Sequence, residues 1–384
     1  MPNILVTSAS HLFSDHLLSS EGIHCYNLFK NLEKYGYQFD IITPYAKVLN
    51  PLDNVEIFQT GTIRITPNIR LKQKYELHLN FSIKGLCLAK KLLKTRRYDI
   101  IHHILPAVHG HTFSPLAISK KKFSIPFLFG PISCHFISRP IDERILRPVT
   151  NRLHFNTILK CDKIIVINEI VKKLYNNVLG DEQISTIPFG VDENIFHPIQ
   201  VEKNDVFEIL YVGSLTEIKG LPYLIKALPL ILDEETNVML KIVGEGNQKA
   251  YLNELVKKLD IDAHVMFSGF IPHNKTPKFF QQCDVFCYPT LGEPFGKSII
   301  EVMACGKAVI TTNIGGPSEI VSNGVDGVLV PPRNEGAIAS GILDLINNEN
   351  KRLKLGERAR KTVEEKYSWE KISSKYHELY SSLL

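Results

Sequence analysis

The stretch Glu293-Pro-Phe-Gly-Lys-Ser-Ile-Ile-Glu301 lies between a segment with a strand pattern and the body of a predicted helix. Residues 284–290 before it form a short apolar run that ends in a Pro-Thr turn, which predicts a buried strand. After it, apolar residues at helical spacing run to Gly306, a typical helix stop, and residues 307–311 predict the next strand. Glu293 is therefore expected on a strand-to-helix loop, and Glu301 about a turn and a half into the helix.

These two carboxylates around a helix start suit a ligand that carries phosphate between two sets of hydroxyl groups. A helix N-terminus offers unpaired backbone N–H groups and the positive end of its dipole to a phosphate. Gly296 lets the backbone approach a ligand closely, and Glu293 and Glu301 can accept hydrogen bonds from hydroxyls. A nucleotide sugar has this layout, although two glutamates at this spacing are more often solvated surface charges.

The length and composition indicate a globular protein of two domains. The chain has 384 residues, which is too many for one ordinary hydrophobic core. No apolar run is long enough to span a bilayer, and the first residues enter a strand pattern without the basic region of a signal peptide, so we expect a cytoplasmic protein. The seven cysteines include no Cys-x-x-Cys pair, which favours buried free thiols over a metal site.

Charge is divided unevenly along the chain. Residues 1–190 carry 24 Lys and Arg against 14 Asp and Glu, a net charge of +10, whereas residues 191–384 carry 21 against 26, a net charge of −5. A basic first half indicates an anionic partner for that half. Charge alone leaves three such partners open: a membrane surface, a phosphorylated acceptor or nucleic acid.

Strand and helix patterns alternate twice along the chain. The first array ends before a turn-rich, charged segment at residues 190–206, and the second array begins after it. We place the two domains at residues 1–190 and 191–368, followed by a terminal helix at about residues 369–384. Two successive βα arrays predict an α/β protein with two doubly wound, Rossmann-like domains that face a cleft.

Further candidate residues lie at the carboxyl ends of predicted strands, where doubly wound sheets bind ligands. Lys219 follows one such strand and would face an anion held by the glutamate loop if the two loops are neighbours. Gly244 belongs to a Gly-Glu-Gly turn, which is also common as a simple tight connection. His102 and His103 end a strand of the first array, and because neighbouring strand side chains point to opposite faces, one of them is expected to enter the cleft. A packed or solvated role is the alternative for each histidine, and the candidates beside these two are His109, Glu21 and Gly22.

The motifs of the second half together resemble the retaining glycosyltransferases of family four, which have the GT-B fold. The resemblance is strong over about residues 185–335 and weaker over 1–185, where the order of strands and helices and a few positions agree. It is carried by Glu-Pro-Phe-Gly-x4-Glu at 293–301, Val212-Gly213 with Lys219-Gly220, Gly244-Glu-Gly246, Gly315-Gly-Pro-Ser-Glu319 and Asp326-Gly-Val-Leu-Val-Pro-Pro332.

The resemblance implies transfer of a sugar from a nucleotide-sugar co-substrate, with retained anomeric configuration and without a metal or other cofactor. Glu293 would contact the donor sugar, Lys219 would neutralise the leaving diphosphate, and His103 would complete the catalytic set from the first domain. Glu301 would hold the ribose, and the segment near Phe270 and Ile271 would meet the base. The residues implied in donor binding, through side chain or backbone, are Gly213, Ser214, Gly244, Phe270, Ile271, Pro294, Phe295, Gly296, Lys297 and Glu301.

The resemblance also implies a division of labour between the domains. Residues 1–190 would bind the acceptor, with His102, His109, Glu21 and Gly22 as acceptor-side candidates, and the last helix would pack back on this domain. The sequence departs from the family pattern where Ser214 replaces a common Arg, and Lys297 is a candidate to supply the missing charge. It also lacks the family's Gly-rich first loop and its usual His near residue 130.

We therefore expect a cytoplasmic retaining glycosyltransferase of polysaccharide or glycoconjugate biosynthesis that uses a UDP-sugar, with GDP-mannose as second choice. The acceptor would be a glycan, a lipid-linked molecule or a small hydroxylated molecule, and the basic domain would contact the anionic inner face of the membrane. We expect no nucleic-acid partner. The alternatives are another GT-B enzyme, such as a sugar phosphorylase or nucleotide-sugar epimerase, and a catalytically silent GT-B partner subunit.

Overall fold

The chain divides into two units, Met1–Phe189 with Ile372–Leu384, and Gly190–Lys371. The structure, a computed structural model, describes residues 1–8, 12–15, 20–61, 71–104, 113–119, 124–133, 147–200 and 205–384. The candidate His109 lies outside these ranges.

The first unit is built on a parallel sheet. Its strands are β1 (Asn3–Ser8), β2 (Leu12–Phe13), β3 (Gln38–Thr43), β4 (Tyr45–Ala46), β5 (Val55–Gln59), β6 (Ile100–His103), β7 (Phe127–Ile132), β8 (Lys163–Val166) and β9 (Ile184–Thr186). Among the described residues, seven strands pair in the order β5-β3-β1-β6-β7-β8-β9, and β2 pairs separately with β4. The central strands β1, β6 and β7 are almost wholly buried, as expected for parallel strands covered on both faces. The helices are α1 (Ser20–Leu32), α2 (Leu71–Thr95), α3 (Pro115–Ser119), α4 (Arg147–Ile158) and α5 (Glu169–Lys173).

The second unit is a doubly wound α/β unit. Its strands are β10 (Phe207–Val212), β11 (Val238–Val243), β12 (Val265–Gly269), β13 (Val285–Tyr288), β14 (Ala308–Thr312) and β15 (Val328–Val330). All are parallel, in the order β12-β11-β10-β13-β14-β15. The helices that follow β10 are α6 (Leu221–Leu232), α7 (Lys249–Lys258), α8 (Thr276–Gln282), α9 (Lys297–Ala304), α10 (Pro317–Ile320), α11 (Glu335–Asn347), α12 (Glu349–Lys366) and α13 (Trp369–Ser381). In the part of the chain that is described, no helix is both long and apolar enough to cross a membrane.

Most of α13 belongs to the first unit, although it is the last helix of the chain. Tyr376 and Tyr380 are 1% and 0% exposed. The Tyr380 hydroxyl lies 2.8 Å from Nδ1 of His102, and Nε2 of His102 donates to the carbonyl of Gly130 at 3.0 Å, so the tyrosine is the donor to Nδ1. Tyr37 makes a second link, with its hydroxyl 2.8 Å from Nδ1 of His377.

We expect Tyr380→Phe to lower the free energy of unfolding by about 1–3 kcal/mol, because it leaves the buried Nδ1 of His102 without its donor. Chemical denaturation would measure the loss. Tyr251→Phe is the matched control, because Tyr251 is 46% exposed and the same atom is removed there. Equal stabilities of the two variants would contradict a stabilising role for this hydrogen bond.

Candidate functional site

The site of the second unit lies where its sheet reverses strand order, between β10 and β13. The chain leaves both strands at the same carboxyl edge and continues in opposite directions, which opens a crevice at this edge. The loop after β10 ends in a short 3-10 turn, Glu217–Lys219, and the loop after β13 leads into α9. This topology brings Lys219 to Glu293, 74 residues later in the chain.

Lys219, Glu293 and Tyr288 form a contiguous polar cluster. The Lys219 ammonium pairs with the Glu293 carboxylate, and their side chains are only 14% and 20% exposed. The ammonium also donates to the Tyr288 hydroxyl at 2.7 Å, and that hydroxyl lies 3.5 Å from the carboxylate. Burial, and then the charge of Glu293, raises the pKa of Tyr288 well above its usual value, so this phenol stays neutral. The cluster thus holds one cation, one anion and one neutral donor at the crevice.

A second tyrosine supports this cluster from below. The ring of Tyr211 stacks on Tyr288, with centroids 5.9 Å apart and ring planes 12° apart. Its hydroxyl donates to the carbonyl of Ser214 at 3.0 Å, which fixes the start of the loop that carries Lys219. Ser214 itself is exposed at the position where an arginine was expected from the resemblance.

Glycines let the loops approach one another backbone to backbone. Gly244 has φ +148°, and a Cβ there would lie 1.8 Å from the carbonyl oxygen of Gly213, so only glycine fits. On the other side of the crevice, Gly316 donates its N–H to the carbonyl of Glu293 at 2.8 Å. A Cβ on Gly316 would lie 2.2 Å from the carbonyl oxygen of Pro294. Close backbone contacts therefore help to hold both loops.

The start of α9 is set by the Phe295-Gly296 pair. Phe295 is 4% exposed and its ring meets Tyr367 edge-on at 6.1 Å, so its side chain anchors the loop in the core. Gly296 has φ +102°, a conformation that favours glycine, and Lys297 is the first helical residue. The N-terminal end of α9 and its positive dipole therefore lie directly after the loop of Glu293.

Glu301 lies one turn further along α9 and is paired with a residue that the sequence did not indicate. Its Oε1 accepts a hydrogen bond from Nε2 of His273 at 2.8 Å. His273 belongs to a 3-10 turn, His273–Lys275, shortly after β12. Phe270 and Ile271 lie between this turn and the strand, and Phe270 is 51% exposed, as a residue that stacks on a ligand can be.

In the first unit, the structure gives the two adjacent histidines different surroundings. Both ring nitrogens of His102 are hydrogen-bonded within the protein, to the Tyr380 hydroxyl and the Gly130 carbonyl. Neither nitrogen is left to bind an acceptor substrate. His103 shares Nδ1 with the Thr7 hydroxyl at 2.7 Å, whereas its Nε2 is buried and has no hydrogen-bond partner among the residues that the structure describes. Burial lowers the pKa of each from 6.5 to about 3, so His103 is a weak base near neutral pH and is better suited to hydrogen bonding.

The other acceptor-side candidates that the structure describes lie on α1. Gly22 and the backbone of Glu21 lie in the first turn of α1. The described residues contain no group of three His, Cys, Asp or Glu side chains that could hold a metal ion.

Three residues of the second unit's site were missed from the sequence: Tyr288, Tyr211 and His273. Tyr288 ends β13 and Tyr211 lies one residue before the end of β10, so the strand-end rule could have found both. His273 gave no such signal, because its contact is 28 residues away in sequence and depends on how the turn after β12 packs on α9.

Two family models cover most of the chain. The model described as Glycosyl transferases group 1 matches residues 192–362, and the model described as Glycosyltransferase Family 4 matches residues 22–195. An uncharacterised glycosyltransferase of Methanocaldococcus jannaschii is 35% identical, over 96% of this chain and 95% of its own length.

Solved structures with the same fold align over the whole chain. Sucrose-phosphate synthase from Thermosynechococcus elongatus aligns with a TM-score of 0.77 at 20% identity, covering 100% of this chain and 99% of that one. Anabaena HepE in complex with UDP aligns with a TM-score of 0.71 at 18% identity, covering 100% of both chains. These neighbours confirm the predicted α/β class with two Rossmann-like, GT-B-type domains.

We expect Gly316→Ala to lower the free energy of unfolding by about 2 kcal/mol or more, because the new Cβ would clash with the backbone of Pro294 and Phe295. Gly336→Ala is the matched control: it lies in α11, a Cβ there has its nearest neighbour at 3.6 Å, and alanine should stabilise by about 0.5–1 kcal/mol. Urea denaturation of both variants would compare them. Effects of the same sign and size would show that the loop of Glu293 is not clamped by Gly316.

Proposed function

This chain belongs to the group 1 glycosyltransferases with a family 4 N-terminal part, and we propose that it moves a sugar from a UDP-sugar to a hydroxyl group with retention of configuration. GDP-mannose is the second candidate donor. The acceptor is a glycan, a glycolipid or a small hydroxylated molecule. Support for a uridine donor comes from Anabaena HepE, a structural neighbour whose structures hold UDP and UDP-glucose.

The contact between Lys219 and Glu293 at the switch point is the observation that carries this proposal. A nucleotide sugar presents an anionic diphosphate beside neutral sugar hydroxyls, and the site offers a cation beside a hydrogen-bond acceptor. Lys219 binds the diphosphate and Glu293 accepts hydrogen bonds from the sugar hydroxyls. The N-terminus of α9 adds positive potential next to Glu293.

The chemistry under this proposal is electrostatic. Negative charge builds up on the diphosphate as its bond to the sugar breaks, and Lys219 stabilises that charge from a partly buried position. Tyr288 donates from the same side and keeps both partners aligned. The acceptor hydroxyl attacks from the face that the diphosphate leaves, its proton passes to the departing diphosphate oxygen, and no bond between enzyme and sugar is formed. Lys297, at the first position of α9, takes the place of the missing arginine in this proposal and supplies its positive charge.

The ion pair gives this site a further property. Lys219 and Glu293 neutralise one another before a ligand binds, so the diphosphate has to compete with Glu293 for the ammonium group. A nucleotide without its sugar takes the cation and offers nothing to the carboxylate. Removing the charge of Glu293 should therefore raise the affinity for UDP and slow the transfer reaction.

The basic face of α2 is the proposed membrane contact of the first unit. Lys84, Lys90, Lys91 and Lys94 are exposed on this helix, and Ile83 beside them is 55% exposed. Lysines near an anionic bilayer contribute about 1 kcal/mol each, and an exposed apolar side chain can enter the headgroup region. This contact suits a lipid-linked acceptor.

For Glu293→Gln we expect two opposite effects. Release of nucleotide from the donor should fall about a hundredfold or more, whereas the affinity for UDP alone should rise about fivefold, because Lys219 loses its competitor. A panel of UDP-, GDP- and ADP-sugars without acceptor measures release, and calorimetric titration with UDP measures affinity.

Glu357→Gln on the exposed face of α12 is the control and should change neither quantity. Full donor turnover by Glu293→Gln would remove this residue from the site. Binding of UDP without release from any donor, even with a range of acceptors, would favour a silent subunit. Release of a sugar phosphate, or of an epimerised nucleotide sugar, would identify one of the other GT-B activities.

For the membrane contact, we expect a variant with Lys90, Lys91 and Lys94 changed to Gln to lose about a hundredfold in partitioning to vesicles that contain phosphatidylserine at low salt. Co-sedimentation measures this. A control variant with Lys257, Lys258 and Lys278 changed to Gln removes the same charge from the second unit and should bind like the unsubstituted protein. Equal loss in both variants would point to net charge rather than to α2.

A further inference from the structure

We propose that His273 is a positioning residue for Glu301, and that it sets the preference of the site for a ribonucleotide over a 2′-deoxyribonucleotide. The proposed function has Glu301 hold the ribose, and this inference rests on it. It adds a residue to which neither the sequence motifs nor the resemblance gave a role.

The contact between the two side chains uses one half of the carboxylate. Nε2 of His273 donates to Oε1 of Glu301 at 2.8 Å, and among the described residues Oε2 has no hydrogen-bond partner. The Glu301 side chain is 14% exposed, so the carboxylate is largely withdrawn from water. One oxygen thus anchors the group while the other remains for a ligand.

His273 is itself fixed on two sides. Its ring packs against the buried ring of Phe196, with centroids 5.4 Å apart. Its carbonyl accepts a hydrogen bond from the buried hydroxyl of Thr276 at 2.8 Å, which holds the 3-10 turn against α8. The His273 side chain is 42% exposed, and these two contacts hold its ring and its backbone in place beside Glu301.

The hydrogen bond to Glu301 also affects the protonation of His273. Burial lowers the pKa of His273, but the hydrogen bond and the charge of Glu301 outweigh it, so that the net pKa is raised despite the opposing charge of Lys297. The imidazole thereby retains a proton on Nε2 for the carboxylate. This N–H donor orients the carboxylate, which can then accept hydrogen bonds from ligand hydroxyl groups.

The position of His273 in the chain couples two parts of nucleotide recognition. Phe270 and Ile271, proposed to meet the base, precede His273 by three and two residues. The turn that orients the ribose carboxylate is therefore continuous with the segment that meets the base.

Specificity for ribose requires this fixed geometry. A carboxylate that accepts from both ribose hydroxyls loses one hydrogen bond when the 2′-hydroxyl is absent, and that loss discriminates only if the carboxylate cannot turn to compensate. With His273 in place, Glu301 is held. Without it, Glu301 is free to adapt to either sugar.

Calorimetric titration with UDP and 2′-deoxy-UDP tests this inference on the full-length protein. His273→Phe keeps a ring that packs on Phe196 but removes the hydrogen-bond donor to Glu301. It should weaken UDP binding about tenfold, and the ratio of the dissociation constant for 2′-deoxy-UDP to that for UDP should fall towards one. His273→Gln keeps an N–H donor and should restore most of the ratio. In a Glu301→Gln background, His273→Phe should cause no further change.

Controls separate orientation from folding. His264→Gln removes an imidazole that bonds only the carbonyl of Val238, and it should bind both nucleotides like the unsubstituted protein. If His273→Phe weakened both nucleotides equally, with the ratio unchanged, His273 would be a packing residue and the inference would fail while the proposed function stood. If the unsubstituted protein bound neither UDP nor GDP in the same titration, the proposed function would fail and this inference with it.

Discussion

The ion pair of Lys219 and Glu293 is the contact on which the site of the second unit depends. Two opposite charges that are mostly removed from water are tolerated only when they meet, because either one alone would pay a large desolvation penalty. The strand order brings them together, and Tyr288 gives both a neutral hydrogen-bond partner. The desolvation of these charges thus takes place when the protein folds, so a ligand that replaces one charge by its own meets a site already organised.

Much of this arrangement could be predicted from the sequence, because the signals are local. Alternating strand and helix patterns predict the α/β class, which is confirmed. The strand, loop and helix around Glu293 follow from an apolar run, a Pro-Thr turn and a stop at Gly306, and the structure has β13, α9 and β14 in this order. Parallel strands then place Lys219 and Glu293 at one edge, so their proximity needed only the assumption that β10 and β13 are neighbours.

What sequence reasoning missed depends on contacts between distant segments. Val55–Gln59 was overlooked as a strand, since a short, half-exposed edge strand carries a weak apolar signal. The two nitrogens of His102 are taken by Gly130 and by Tyr380, which is 278 residues away, so no local pattern could separate this histidine from His103. His273 was missed for the same reason, because the contacts of a turn depend on how the chain packs around it and are not visible in the local sequence.

The return of α13 to the first unit has a consequence for synthesis on the ribosome. Tyr376 and Tyr380 of α13 are buried in the core of the first unit. All strands of that unit are translated before the second unit, and α13 is translated after it. The nascent amino-terminal half therefore emerges with Tyr37 and His102 lacking their partners, and it waits for the final residues before its core is complete. The second unit is complete in sequence at Lys371, before the last residues of the first unit are made, so it can finish folding before the half that precedes it.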